Sequence, residues 1–276
     1  MWITLCTINQ QNERNLQQCT PLNLTKKTKN KRDQQQKEAA YFRSCHENSV
    51  TISNALARAF YRSSTNEKRV MAMIVSKLDP RRTDNNIQRI EIRAKDFIET
   101  YNTCPSNAYR DIARAAQALI RKIIVIEEDD GSYTEYTLMC TATYIKKEGK
   151  IIASLNPNMQ HHFQGLKEKF TSYPLGTASR FKSSYSWKLY ELLVSWSKPK
   201  QLTKGIFSGW LTVEVDNLRK ILGVPKSYAW TKFNTEILQK TQEELYTKAG
   251  IKIDILSKKT GRKIAHLYIQ FMEESH

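Results

Sequence analysis

The chain has 276 residues, 40% of them hydrophobic, with 44 Lys+Arg against 27 Asp+Glu and a formal charge of +17. That length suffices for two packed domains of ordinary size or one large one. No apolar run approaches the ~18 residues of a membrane span, and the apolar opening lacks the flanks of a signal peptide. Five unclustered cysteines argue against a disulfide scaffold and for a reducing cytoplasm. A positive surplus of this size points either to a polyanionic partner or to a chain kept dispersed by its own charge. The placement of the charge decides between the two.

Residues 1–46 are Gln-rich and carry the basic cluster Lys26-Lys27-Thr28-Lys29-Asn30-Lys31-Arg32. They have no apolar periodicity, and the composition predicts a disordered basic tail. From Asn48 onward, Ile52, Leu56 and Phe60 recur at four-residue spacing, which predicts an amphipathic helix. Ser64 and Glu67 have capping-box spacing, so a second helix is expected to start there. It carries Val70, Met73, Ile74 and Leu78 inward and ends at Asp79-Pro80, because proline disfavours helical geometry in the preceding residue.

The next plan is seen twice. In the first copy Ile90 and Ile92 alternate as a short strand, followed by a helix over 94–101, a turn at Cys104-Pro105 and a longer helix over 106–120. A strand over 122–127, a turn at Asp129-Asp130-Gly131 and a returning strand over 133–144 complete it. The second copy begins with Leu211, Val213 and Val215 alternating, then a helix over 216–222, the turn Gly223-Val224-Pro225 and a long helix over 228–249. Strands over 251–256 and 263–271, joined at Thr260-Gly261, close it. Between the copies lie a hairpin strand at 150–155 and one long helix ending at Pro199, which is expected to bury Tyr185, Leu189, Leu192, Leu193 and Trp196. Strand, helix, turn, helix and hairpin is the winged-helix plan. The predicted fold is therefore α+β, with two tandem winged-helix domains behind a disordered basic tail. The expected division is 1–46, 47–168 and 169–276.

Charge follows this plan. Arg110, Arg114, Gln117 and Arg121 fall on one helical face, opposite Ile112, Ala116 and Leu119. On the second long helix Phe233, Ile237, Thr241 and Leu245 are expected inside. Lys232, Thr235 and Gln239 point away, a surface of hydrogen-bonding groups suited to base edges. Lys226, Ser227, Tyr228 and Thr231 sit at the entry of that helix, where free N–H groups favour a phosphate, while Glu243 and Glu244 farther along would repel one. The hairpin Lys258-Lys259-Thr260-Gly261-Arg262-Lys263 sets four cations on one turn, each able to displace counterions from a phosphate chain. Arg180, Lys182, Ser183 and Ser184 add charge and hydroxyls before the central helix.

Catalytic signatures are missing. No G-x-x-x-x-G-K-[ST] loop is present. His161-His162 are adjacent rather than alternate, so on a strand they would face opposite ways, and both read as surface residues. No Cys or His spacing matches a zinc site, and Glu127-Glu128-Asp129-Asp130 reads as a solvated hairpin tip. The expectation is a binder, not an enzyme, with no metal and no cofactor.

Four motifs in order carry a family resemblance. The stretch from Ser53-Asn54-Ala55-Leu56 through Asn66-Glu67-Lys68-Arg69-Val70 to Leu78-Asp79-Pro80 resembles the opening of theta-type (iteron) plasmid replication initiators of the RepE, RepA and Pi type. Ser183-Ser184-Tyr185-Ser186-Trp187-Lys188-Leu189-Tyr190-Glu191-Leu192-Leu193 looks like that family's most recognisable block. The helix from Leu218 to Val224 and the closing Lys259-Thr260-Gly261-Arg262-Lys263-Ile264 are similar to its later elements. The resemblance spans about four-fifths of the chain.

It implies a protein that binds double-stranded origin iterons, helps open the duplex and recruits the host initiator and replicative helicase. It also implies monomer and homodimer forms, the dimer repressing its own gene. The C-terminal domain would supply the main recognition helix and wing. The N-terminal domain, with the Arg110–Arg121 stripe, would supply auxiliary contacts and much of the dimer interface. The alternative is a winged-helix transcriptional regulator without initiator activity.

Overall fold

The computed structural model describes residues 48–83, 89–128, 130–197 and 207–274. The stretch read as a disordered tail, Asp129 and Pro199 lie outside them.

The first element departs from expectation. Residues 52–60 do not form one helix: β1 (Ser49–Ser53) precedes a short α1 (Asn54–Arg58). The β-branched run Val50-Thr51-Ile52 favours extended backbone, and Val50 and Ile52 alternate into the core. Ser53 ends the strand and caps the helix, its hydroxyl accepting from Leu56 N at 3.1 Å. The next helix, α2 (Thr65–Ser76), starts where the capping box requires, with both reciprocal bonds of Ser64 and Glu67 formed.

β2 (Arg89–Arg93), α3 (Ala94–Tyr101) and α4 (Pro105–Ile120) follow as read. β3 (Ile123–Glu127) then pairs antiparallel with β4 (Tyr133–Thr137). The single returning strand expected over 133–144 is instead broken at the buried Leu138. Beyond it β5 (Met139–Ile145) joins β6 (Lys150–Leu155), and β6 also pairs with β2. Asn156 holds the break: its N–H donates to Leu138 O at 2.9 Å, and its side-chain amide donates to Thr137 O at 2.9 Å. Two separate small sheets thus replace one long hairpin.

The division expected at 168/169 falls just before a strand that pairs back to the start of the fold. β7 (Phe170–Pro174) pairs along its whole length with β1, which ties the segment after that boundary to the first domain. A short helix, α5 (Leu175–Ala178), leads to α6 (Ser184–Trp196). Leu189, Leu192 and Leu193 of α6 are buried as expected, but Tyr185 is only half-buried and Trp196 is 43% exposed. The Trp196 indole lies at the helix end, under the Arg58 guanidinium at 4.4 Å.

What α6 adds to the core is polar as well as apolar. Lys68 of α2 donates to Glu191 at 2.6 Å and to Tyr61 Oη at 2.9 Å, with both members of the ion pair almost wholly buried. Tyr173 Oη donates to the other Glu191 oxygen at 2.6 Å and accepts from Trp187 Nε1 at 3.1 Å. Buried ions persist only when paired and hydrogen-bonded, and this network meets that condition for Lys68 and Glu191. The block Ser183–Leu193 is therefore packing and internal pairing rather than a free surface.

The second domain matches its reading closely. β8 (Ser208–Glu214) and α7 (Val215–Leu222) precede Gly223, whose φ of +69° ends the helix. Glycine is needed there twice over, because a Cβ would also meet Arg62 Cα at 2.7 Å and Tyr61 O at 2.8 Å. The long helix consists of α8 (Trp230–Phe233), a π-helical stretch Asn234–Gln239 and α9 (Lys240–Ala249). The π turn inserts an additional residue, so Ile237 and Leu238 are both buried beside Phe233, Thr241 and Leu245. β9 (Ile251–Thr260) and β10 (Lys263–Glu273) form the hairpin, and β10 is the central strand between β8 and β9.

Candidate nucleic-acid interface

Most of the residues singled out from sequence lie on the long helix of the second domain, at its entry and on the hairpin. Lys226, Ser227, Thr231, Lys232, Thr235 and Gln239 are exposed, and Tyr228 is half-buried. The Lys232 ammonium sits 4.1 Å from the Tyr228 ring centroid, a cation–π contact that limits the wandering of a long side chain. Thr235 donates to Thr231 O at 3.0 Å, which leaves its oxygen free to accept. One acid was missed: Glu236 is exposed beside these residues. Its ion pair with Lys240 holds its carboxyl below the usual range and partly neutralises it.

Gly261, with φ +62° and open space around it, turns the hairpin. Lys258, Lys259, Arg262 and Lys263 are all exposed on its two sides. Between the hairpin, α7 and the start of the long helix lies a cleft of about 820 Å³, lined by Arg219, Trp230, Lys259, Arg262 and His266 and also by the carboxylates Glu214 and Asp216. Arg219 and Trp230 were not singled out from sequence. The Arg219 guanidinium stands 5.3 Å over the Phe233 ring, and one of its nitrogens is buried without a hydrogen-bond partner. Its place in the amphipathic α7 gave no signal of this, since the cleft forms only where α7, Trp230 and the hairpin meet in the folded chain.

In the first domain Arg110, Arg114, Gln117 and Arg121 are exposed, opposite the buried Ile112, Ala116 and Leu119. One acid borders the stripe: Arg110 lies 3.7 Å from the Asp111 carboxylate.

The segment before α6 is arranged differently from the expectation of a free backbone. Lys182 N and Ser183 N donate to Glu244 of α9 at 2.6 and 3.3 Å, so a carboxylate of the chain already occupies this helix start. The Ser183 hydroxyl accepts from Tyr185 N at 3.2 Å, and Ser184 is half-buried. Arg180 and Lys182 keep exposed side chains, although Arg180 reaches Lys248 O at 3.5 Å. Glu244, expected to repel phosphate, instead satisfies backbone donors.

His161 is exposed, but His162 is 2% exposed and is not a surface residue. The pair lies in a 3-10 turn, Pro157–His162, that tucks His162 Nδ1 against Ser53 Oγ at 2.8 Å. Burial, with His161 beside it, lowers its pKa to about 4. Among the described residues no group of three or more His, Cys, Asp and Glu is placed to hold a metal, and no helix is long and apolar enough to cross a membrane.

Two winged-helix units in series, the second with a cationic wing beside an exposed polar helix face, define the class: a tandem winged-helix protein built to meet nucleic acid. Residues 49–194 match the family described as initiator replication protein, WH1, and residues 214–271 match initiator Rep protein, WH2. The chain belongs to this initiator replication protein family. It is 25% identical to the PI protein of Escherichia coli over 74% of this chain and 76% of that one. It shares its fold with the Pi initiator protein solved in complex with iteron DNA, at TM-score 0.68 and 21% identity, covering 84% of this chain and 99% of that one. The WH1 match ends inside α6 and takes in both strands of the β1–β7 pair.

Proposed function

We propose that this chain initiates plasmid replication by binding iteron repeats at the origin in a sequence-specific manner. The observation that carries the reading is the second domain's exposed helix face (Thr231, Lys232, Thr235 and Gln239) together with the four exposed cations of the 258–263 hairpin, which shares a cleft with Trp230 at the start of that helix. A helix of hydrogen-bonding side chains suits the major groove, and a cationic wing suits the adjoining phosphates. Support comes from family membership and from a relative crystallised on iteron DNA. In this reading Lys226, Ser227, Tyr228, Thr231, Lys232, Thr235 and Gln239 face bases and nearby phosphates. Lys258, Lys259, Arg262 and Lys263 grip the backbone. Arg110, Arg114 and Arg121, with the side chains of Arg180 and Lys182, add contacts from the first domain. Two domains in series suit a repeat of about 20 base pairs, two helical turns.

Duplex opening, recruitment of the host initiator and helicase, and repression of its own gene by a homodimer complete the proposed role. It acts by binding, in the cytoplasm, without catalytic chemistry. Footprinting on the parent replicon tests it: the expected result is protection of direct repeats near the gene, and deletion of the gene abolishes plasmid maintenance. Protection of a single inverted repeat, with maintenance intact, would indicate a transcriptional regulator instead.

A further inference from the structure

We propose that Glu244 fixes the separation of the two winged-helix domains, making it a positioning residue that sets which spacing of DNA contacts the protein accepts. The inference rests on the DNA-binding reading above but concerns a residue that touches no DNA. Glu244 lies on α9, in the second domain, and its carboxylate spans the start of α6, in the first. Oε1 accepts from Lys182 N at 2.6 Å, and Oε2 accepts from Ser183 N at 3.3 Å and from Ser186 Oγ at 2.5 Å. A helix start presents unpaired N–H groups and partial positive charge, so a carboxylate there makes short, directional, charge-assisted bonds.

The helix held in this way cannot drift within its own domain. Its middle is pinned by the buried Lys68–Glu191 pair at 2.6 Å. Its far end is pinned by Arg58, which donates to Ser195 O at 2.9 Å and to Ser195 Oγ at 3.1 Å. α6 is thus a strut fixed to the first domain at two points and clasped at its start by the second. The domains also meet where the Gly223 turn packs against Tyr61 and Arg62, where the Tyr190 ring lies 6.2 Å from that of Phe207, and where Arg180 reaches Lys248 O at 3.5 Å. The apolar part of this contact opposes separation but is not directional. Among these contacts the bonds of Glu244 are the short charge-assisted ones, and they fix how the start of α6 meets α9. Two tethered binding units gain from each other only when their geometry allows both to engage together, so a rigid clasp turns domain spacing into DNA selectivity.

The test uses the full chain and two duplexes: one with a single footprinted repeat, the other with two base pairs inserted between the segments contacted by the two domains. Two base pairs rotate the far segment by about 70°. Wild type is expected to bind the inserted duplex at least about tenfold more weakly. Glu244→Ala is expected to lose about tenfold on the natural repeat, to keep wild-type binding to random DNA, and to discriminate the two duplexes less than about threefold. Amide exchange at Lys182 and Ser183 should accelerate in step. Glu244→Gln, which keeps one acceptor, and Ser186→Ala, which removes one donor, should fall between. These two milder variants carry the test if Glu244→Ala fails to fold by circular dichroism. A Glu244→Ala protein that separates the two duplexes as sharply as wild type overturns the positioning role alone. A wild-type protein that protects no repeat overturns the functional reading, and the spacing claim with it.

Discussion

Replacing Lys188 with methionine should stabilise the protein near and below neutral pH, and the gain should shrink as pH rises. Lys188 is 3% exposed, and its Nζ is buried without a hydrogen-bond partner, 4.2 Å from the Tyr61 ring centroid. The nearby Glu191 carboxylate is already taken by Lys68. Burial first, then the Lys68 cation, lower the Lys188 pKa to about 7, with Glu191 opposing. In the unfolded chain a lysine titrates near ~10.4. Between these two values the unfolded chain holds the additional proton. Stability should therefore rise with pH across that window, by ~1.4 kcal/mol per pH unit. The contribution is complete above the unfolded pKa and is lost as pH falls to the folded one.

Methionine keeps the length and the apolar stem, so little cavity is created. Urea unfolding should then show K188M more stable than wild type by on the order of 4 kcal/mol at pH 6 and by ~1 kcal/mol at pH 9.5. A difference that stays constant from pH 6 to 9.5 would refute the reasoning, because it would mean that Lys188 keeps its proton in the folded protein.

Glu191→Ala should cost ~3–5 kcal/mol in the same melts, since it strands the buried Lys68 ammonium. Replacing Lys68 and Glu191 together with Met and Leu should recover most of that loss, and no recovery would show that the Tyr173 bond to Glu191 matters more than the charge. Arg262→Ala or Lys258→Ala should weaken binding to all DNA and lower the slope of log affinity against log salt by about one for each phosphate no longer neutralised; titrations at several salt concentrations that return the wild-type slope would remove the hairpin from the interface. Lys232→Ala or Gln239→Ala should cost ~1–3 kcal/mol on the cognate repeat and relax preference at particular base pairs. Equal losses on cognate and random duplexes would move both residues to the phosphate class.

Reciprocal capping by Ser64 and Glu67 placed the start of α2, and the helix at 94–101 came out residue for residue. The 258–263 turn displays its cations as expected. Each of these depends on groups within a few positions of one another. The misreadings share the opposite property. Ile52 fits a helical spacing with Leu56 and Phe60, yet pairing with β7, far along the chain, draws it into a strand. The run from Tyr133 to Tyr144 shows no break until Asn156 binds at Leu138.

The basic stripes, the helix periods and the wing's charge were determined by the chain alone, because periodicity, caps and turn chemistry act within a turn or two of backbone. Only tertiary structure decided which charges remain available to a ligand. Lys188 and His162 became buried, Lys68 found Glu191, and Glu244 spent its carboxylate on amides 61 and 62 residues away. Burial and long-range pairing set the free energy of each of these groups, and neither is encoded in the spacing of its neighbours.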